Sequence, residues 1–193
     1  MNNLIRLHQG QALLVEDDPW RWIQTSAGAD EAVSAGEQHL LLPLADWLRL
    51  QPERVCQGKA ISDHGIWLAA DNEPEQLQPW LAVLPLIALD FPSFRDGRAY
   101  SHAYMLRTRL GWQGELRAIG DVLRDQLSHM RHCGMDAFAI RDDKSAAEAL
   151  PGLNGISVLY GRSVAVPVPL FRRRHSSDHA QPDHSEQPAH DLR

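Results

Sequence analysis

Residues 89–138 read LDFPSFRDGRAYSHAYMLRTRLGWQGELRAIGDVLRDQLSHMRHCGMDAF, and this stretch holds the densest mixture of arginine and carboxylate residues in the chain. Seven arginines and six acidic residues stand among its apolar positions, and lysine is absent from it. The apolar spacing changes along the stretch in the way that an alternation of strands and helices requires. Charges this dense within a core-forming segment indicate either a binding site or a network of ion pairs.

The alternation extends on both sides of this stretch and predicts an α/β fold. Short apolar runs of strand type alternate with segments of helical spacing, which is the signature of parallel βα units. We expect about four such units, forming a parallel sheet or a half-barrel within a domain of residues 39–161. The predicted strands are 39–42, 65–70, 86–89, 115–119, 137–140 and 156–160, and the predicted helices are 44–48, 73–84, 101–110, 122–133 and 145–150.

The two ends of the chain differ from this central domain. Residues 3–8, 11–16 and 20–23 are short apolar runs separated by turn signals, which predicts a small antiparallel meander over residues 1–24. Residues 25–38 are small and polar, and we interpret them as a loop. Residues 172–193 contain almost no apolar side chain, so we predict a disordered tail.

Composition excludes several classes of function. The net charge of −6 argues against general binding to nucleic acids or membrane surfaces, since both need basic patches. The sequence shows no signal peptide and no apolar run long enough to cross a bilayer. Two cysteines far apart in the chain favour a reducing cytoplasm. No glycine-rich nucleotide-binding fingerprint occurs, and the cofactor stays open.

Four charged side chains follow the predicted strands at their carboxyl ends: Asp71, Asp90, Asp121 and Arg141. Ligands of parallel sheets bind beyond these ends, so we expect the four residues to share one rim of the sheet. Arg95 and Arg98 lie in the loop after the second of these strands. They would clamp a small anion such as a phosphate, sulfate or carboxylate, assisted by a helix start near Ser101.

The same residues also have a purely structural interpretation. Arg95 and Arg98 would then pair with Asp90, Asp96 or Asp121 and only fix the loop. Asp121 is explained as a helix cap, while Asp121 with Asp125, one helical turn on, would suit a metal ion or acid–base chemistry. The full set of anion-binding candidates is Asp90, Arg95, Asp96, Arg98, Ser101, Arg117, Asp121 and Asp125.

His129, His132 and Cys133 have spacings that would bring metal-ligating atoms together on one helix. A fourth ligand is not evident, and a histidine near a helix end commonly interacts with the helix dipole instead. We therefore predict no metal site.

Three motifs resemble a bacterial family, the domain of unknown function 934: FPSFRDGRAYS (91–101), GELRAIGDVLRDQ (114–126) and RHCGMDAF (131–138). The resemblance extends over most of residues 40–160. It implies a cytoplasmic protein encoded beside assimilatory sulfite reductase and labelled a predicted oxidoreductase of sulfite reduction. It implies no catalytic residue, because none is established in the family. A non-catalytic accessory protein that docks on sulfite reductase is the alternative, and whether the chain is an enzyme stays open.

Overall fold

The computed structural model describes residues 3–56, 63–154 and 160–172, and its centre is an eight-stranded sheet. The strands are β1 Leu4–His8, β2 Gln11–Val15, β3 Arg21–Trp22, β4 Leu40–Pro43, β5 His64–Leu68, β6 Leu86–Phe91, β7 Glu115–Gly120 and β8 Ala137–Ala139. Their order across the sheet is β2-β1-β8-β7-β6-β5-β4-β3. The chain is therefore a mixed α/β protein with a curled sheet that forms a half-barrel.

Strands β3 to β8 lie side by side in chain order, and each pairs in parallel with the next. Strand β1 is antiparallel both to β8 and to β2. The N-terminal hairpin thus extends the central sheet beyond β8 instead of forming a separate layer. The number of complete βα units stays a prediction.

Helices cover one face of the sheet and leave the other to the inside of the curl. The α-helices are α1 Ser26–Ser34, α2 Leu44–Cys56, α3 Arg98–Thr108, α4 Leu127–His132 and α5 Ala146–Ala149, and 3-10 helices occupy Pro74–Trp80, Arg124–Gln126 and Leu150–Asn154. The main core contains one set of alternating strand residues packed on these helices. A smaller apolar cluster on the opposite face contains no helical residue, and we call this face the inner face.

A short connection explains why the sheet curls. Residues 16–20 link β2 to β3, which are the two edge strands of the sheet. Six peptide steps reach about 22 Å at most. Eight strands laid flat would separate their edges by about 34 Å. The edges must therefore approach each other, and the connection runs across the open side of the curl.

Asp18 in this connection forms a buried ion-pair network on the inner face. Arg117 on β7 donates from Nη1 and Nη2 to the two Asp18 carboxylate oxygens at 2.7 and 2.9 Å. Its Nε donates to Glu115 at 2.9 Å, and Arg6 lies 3.0 Å from Glu115 and 3.4 Å from Asp18. The Asp18 and Arg117 side chains are both 0% exposed. Although burial acts to raise it, the pKa of Asp18 is lowered by its bonds to Arg117.

Asn3 fixes the start of β1 to the segment that follows β8. Its side-chain Nδ2 donates to the carbonyl oxygens of Ile140 at 3.1 Å and Lys144 at 2.7 Å. Its Oδ1 accepts from the Ala146 backbone N–H at 2.7 Å. One polar side chain thus joins the beginning of the fold to its end.

Two predictions for the N-terminal part are wrong. Residues 25–38 are not all loop, since α1 begins after Thr25, whose side chain accepts from the Gly28 N–H at 3.2 Å. Small side chains hid this helix, because Ala29 and Ala32 form its buried face. Residues 20–23 do not continue an antiparallel meander, since β3 crosses to the far edge and pairs in parallel with β4.

Two predicted helix starts are also wrong. Helix α3 begins at Arg98 rather than at Ser101, and the Asp96 carboxylate accepts from the Arg98 backbone N–H at 3.1 Å. Asp121 caps no helix, because a 3-10 helix and α4 replace the predicted helix 122–133. The Gln126 side chain accepts from the Leu123 N–H at this start instead.

The remaining predictions differ mainly in length. The predicted helix 73–84 is a 3-10 helix over Pro74–Trp80 that contains Pro79, a residue that interrupts helical hydrogen bonding. The predicted helix 44–48 extends to Cys56. The predicted strand 156–160 lies, apart from Tyr160, outside the described residues, as does the predicted disordered tail beyond residue 172.

We expect Asp18→Ala to lower the free energy of unfolding by about 3–5 kcal/mol, because it leaves the Arg117 guanidinium buried without its bidentate partner. Urea denaturation at pH 7 measures this change. Glu37→Ala is the control, since it removes only the exposed pair between Arg21 and Glu37 and should cost less than about 1 kcal/mol.

The lowered pKa of Asp18 stabilises the fold at pH values above the unfolded pKa of about 3.9, so the advantage of wild type over Asp18→Asn should fade as the pH drops below about 4. Equal losses in Asp18→Ala and Glu37→Ala would contradict the role given to this pair.

Candidate functional site

The candidate site is the rim formed by the carboxyl ends of β5 to β8. These strands are parallel neighbours, so Asp71, Asp90, Asp121 and Arg141 lie at or just after strand ends along one edge. Asp90 lies within β6 rather than after it, because this strand extends to Phe91. The rim is the edge at which α/β folds of this type bind ligands.

Arg98 is shared by two rim carboxylates. Its Nε donates to Asp96 at 3.0 Å, its Nη2 donates to the same carboxylate at 2.6 Å, and its Nη1 contacts Asp71. The side-chain bonds from Arg98 lower the pKa of Asp96 to about 2, and those to Asp96 and Asp71 raise the pKa of Arg98. The first turn of α3 is therefore connected to the end of β5.

Arg141 forms a second group with two carboxylates. Its Nε and Nη2 donate to Asp143 at 2.5 and 2.9 Å, and its Nη1 donates to Asp121 at 2.7 Å. The other Asp121 oxygen accepts from the Phe94 backbone N–H at 2.9 Å. Asp121 thus connects the end of β7 both to β8 and to the loop that follows β6. The bonds to Asp143 and Asp121 raise the pKa of Arg141.

Arg95 stands apart from these groups. It is exposed and forms no ion pair with any residue in the described ranges. Its guanidinium carbon lies 5.5 Å from the centroid of the Phe94 ring, within the range of a cation–π contact. Phe94 itself is 50% exposed. The tip of this loop therefore presents a positive charge and an apolar ring to solvent.

A cavity of about 250 Å³ opens on the inner face at this rim. We call it the rim cavity, and it is lined by Trp22, Ile119, Gly120, Ala139, Ile140, Arg141 and Asp142. The register pairs Ile119 with Asp90 on the inner face of the neighbouring strand. The aromatic Trp22, aliphatic side chains and the charged residues Arg141 and Asp142 thus line a small cavity where β7 and β8 end.

Gly120 allows the chain to turn at this point. Its φ of +88° lies in the left-handed region that favours glycine. A Cβ here would lie 2.5 Å from the Asp90 Oδ1 and 2.5 Å from the Phe91 carbonyl oxygen. The Asp90 carboxyl group therefore packs directly against a residue that lines the rim cavity.

The structure brings most of the predicted anion-binding residues to this rim but separates two of them. Asp90, Arg95, Asp96, Arg98 and Asp121 lie on the loop and strand ends described above, and Ser101 is exposed in the first turn of α3. Arg117 lies on the inner face below the rim, enclosed by Asp18 and Glu115.

Asp125 belongs to a different part of the surface. It lies in the 3-10 helix Arg124–Gln126 and lines a separate cavity with Lys144 and Glu148. Asp121 is outside any helix, so helical spacing does not pair it with Asp125. Helical spacing therefore does not make Asp121 and Asp125 the carboxylate pair that the sequence analysis considered for a metal ion or for acid–base chemistry.

Within the predicted group of His129, His132 and Cys133, His132 has a different contact partner from the other two residues. The His129 ring packs on Tyr100 with centroids 4.5 Å apart, and its Nε2 lies 3.9 Å from the Cys133 Sγ. His132 contacts the Ser163 hydroxyl at 3.1 Å. Burial raises the pKa of the Cys133 thiol, which opposes thiolate formation. Among the residues that the structure describes, no three His, Cys, Asp or Glu side chains are grouped to hold a metal ion.

Sequence reasoning missed Asp143 and Trp22 as members of the site. Asp143 lies two residues after Arg141, and this local spacing was a usable signal. Trp22 is 119 residues from Arg141 in the sequence, since 141 minus 22 is 119, and reaches the cavity only because β3 crosses to the far edge of the sheet. No local pattern carries that information.

Together these features define an α/β half-barrel with a charged rim at the carboxyl ends of its parallel strands. A family model described as a bacterial protein of unknown function (DUF934) matches residues 65–171, which is more than half of the chain. The chain belongs to this family. The match contains β5 from its second residue, all of β6 to β8 and all the arginine–aspartate contacts of the rim. No curated protein and no solved structure matches the chain.

Within the part of the chain that the structure describes, no helix has both the length and the apolar character needed to cross a membrane.

Proposed function

We propose that this protein acts in assimilatory sulfite reduction by binding a small anion at the rim cavity. Family membership supports the pathway, through the link to sulfite reductase that the resemblance implies. The observation that carries the anion site is the Arg141 guanidinium in the wall of a cavity at the carboxyl ends of β7 and β8. The binding role would serve either an oxidoreductase or an auxiliary protein.

The N–H groups that Arg141 has left over support its role as a hydrogen-bond donor to an anion. A guanidinium carries five N–H groups, and Arg141 uses three nitrogens toward Asp121 and Asp143. One N–H on each terminal nitrogen is left to bind a ligand oxygen. Arg95 does not line the rim cavity, and its charge on the loop after β6, which no carboxylate in the described ranges neutralises, attracts an anion without contacting it. Binding at Arg141 therefore leaves its aspartate contacts in place.

The size of the cavity supports a small ligand. About 250 Å³ lies below the usual range for pockets that hold drug-sized ligands. A tetrahedral or pyramidal oxyanion fits such a volume, whereas a dinucleotide does not. The sequence also lacks a nucleotide fingerprint. These two facts favour an inorganic sulfur oxyanion over a nucleotide-bound one.

Titration calorimetry with sulfate and with sulfite should detect binding that Arg141→Gln weakens by about tenfold or more, because charge-assisted hydrogen bonds of about 1.5–3 kcal/mol are lost. Asp143→Asn should keep or strengthen the binding, since it removes a competing carboxylate and leaves the guanidinium. Arg109→Ala is the matched control, as it removes an equal charge whose nearest carboxylate is 3.7 Å away at the other end of α3. Amide chemical shifts of Gly120 and Arg141 should move on titration. Equal affinities in wild type and Arg141→Gln would contradict the site.

Growth of the source bacterium tests the pathway. Deletion of the gene should slow growth with sulfate as the sole sulfur source and leave growth on sulfide unchanged, because sulfide enters after the reduction step. The wild-type gene should restore growth, and the Arg141→Gln gene should restore it poorly. The Arg109→Ala gene serves as the control for expression. The same growth defect on both sulfur sources would remove sulfite reduction from the proposal.

Docking on sulfite reductase is a second candidate function, and the exposed loop tip favours it. Phe94 is half exposed beside Arg95, and aromatic and arginine side chains are enriched at binding hot spots. The Phe94 N–H donates to Asp121 and fixes this loop. The exposed ring therefore loses little conformational entropy on binding.

For the docking candidate, we expect Phe94→Ser to weaken binding to purified sulfite reductase by about tenfold in biolayer interferometry, since a hot-spot aromatic contributes about 1–2 kcal/mol or more. Tyr104→Ser is the matched control, because Tyr104 is 42% exposed on α3 away from this loop. Sulfate affinity should not change in Phe94→Ser. An undiminished interaction in Phe94→Ser, or none in wild type, would rule out docking through this loop.

A further inference from the structure

Asp90 differs from the other carboxylates of the rim. Its side chain is half-buried on the inner face, and it forms no hydrogen bond or ion pair with any residue that the structure describes. Asp71 and Asp96 both contact Arg98, and Asp121 and Asp143 both contact Arg141. A half-buried carboxyl group without a partner is costly as an anion, because burial removes water that would solvate the charge.

The charged groups around Asp90 do not compensate for this cost. Burial raises the pKa of Asp90, and the neighbouring Asp96 carboxylate raises it further. The arginines on the elements packed against β6 are already held by carboxylates: Arg98 and Arg107 on α3, by Asp96 with Asp71 and by Asp136, and Arg117 on β7, by Asp18 with Glu115. Arg141, after β8, is held by Asp121 and Asp143. His102 on α3 is the further titratable group of this helix, and burial lowers its pKa.

The position of Asp90 brings this group to the rim cavity. Asp90 is the register partner of Ile119, which lines the cavity. Its Oδ1 occupies the space that a Cβ on Gly120 would need, and Gly120 also lines the cavity. Asp90 is not itself one of the lining residues, and its carboxyl group packs against the wall of the rim cavity at Gly120.

We propose that Asp90 is the proton-carrying residue of this site, so that an oxyanion binds at the rim cavity together with one proton taken up from solvent by the Asp90 carboxylate. The neutral carboxyl group then donates its O–H toward the bound oxyanion. An ionised Asp90 would instead repel the anion. Its charge would add to the repulsion from the four carboxylates that already hold the rim arginines. This inference rests on the anion site proposed above and specifies its protonation.

Sulfate is the probe, because its charge stays constant between pH 5 and pH 8, whereas that of sulfite does not. We expect sulfate affinity to rise as the pH falls, by up to about tenfold per pH unit where Asp90 is ionised in the free protein and neutral in the complex. Calorimetry in buffers of different ionisation enthalpy should find uptake that approaches one proton per sulfate between the pKa of Asp90 in the free protein and its pKa in the complex. In Asp90→Asn, which mimics the neutral acid, the affinity should be higher at pH 8 and nearly independent of pH.

Asp125→Asn is the matched control, since Asp125 is exposed and lines a separate cavity, and it should keep the pH dependence of wild type. A carbon-13 NMR titration of the Asp90 carboxyl group in wild type gives a second readout that needs no variant. Its pKa should rise when sulfate is added. An unchanged Asp90 titration, or the same pH dependence in wild type and Asp90→Asn, would overturn the proton coupling and leave the anion site standing. Absence of sulfate binding in both proteins at every pH would overturn the anion site and the coupling together.

Discussion

The contact on which the rest of the structure depends is the bidentate ion pair between Arg117 and Asp18. It holds the connection of residues 16–20 against the inner face of β7, so that a short segment can span the two edges of the sheet. A flat sheet would place those edges too far apart for this connection. The curl of the half-barrel, the position of β3 and the wall that Trp22 gives to the rim cavity all follow from this closure.

The arginines of the rim are paired differently from those of the inner-face network below it. On the inner face, Arg117 and Asp18 neutralise each other away from water, and the partly exposed Arg6 and Glu115 complete the network, which fixes the chain. On the rim, Arg98 and Arg141 each contact two aspartates while keeping donors exposed to solvent. The excess of carboxylates makes the site respond to protonation, and Asp90 is the member without a cation of its own.

Sequence alone predicts the parts of this protein that depend on local spacing. The alternation over residues 65–140 identifies β5 to β8, and the position of charges after those strands identifies the rim. It misplaces Arg117, because the partner of that residue is 99 positions away in the chain. It misses α1, whose buried face consists of alanines, and it assigns Asp121 to a helix cap although Asp121 joins a loop to Arg141. The errors at Arg117 and Asp121 share one cause, which is pairing with residues distant in the sequence that no local pattern records, whereas α1 is hidden by the small side chains of its buried face.

The pairing of the first strand with the last gives the chain a particular order of assembly on the ribosome. Among the described residues, strand β1 joins the parallel strands through β8, and Asn3 bonds to residues 140–146. The β1–β2 hairpin therefore emerges before β8 and docks on the sheet after β8 has been synthesised. During that interval its adjacent leucines, Leu13 and Leu14, which stay about half exposed even in the finished fold, are available to other nascent chains. High contact order of this kind slows folding, so co-translational chaperones have a long period in which to act.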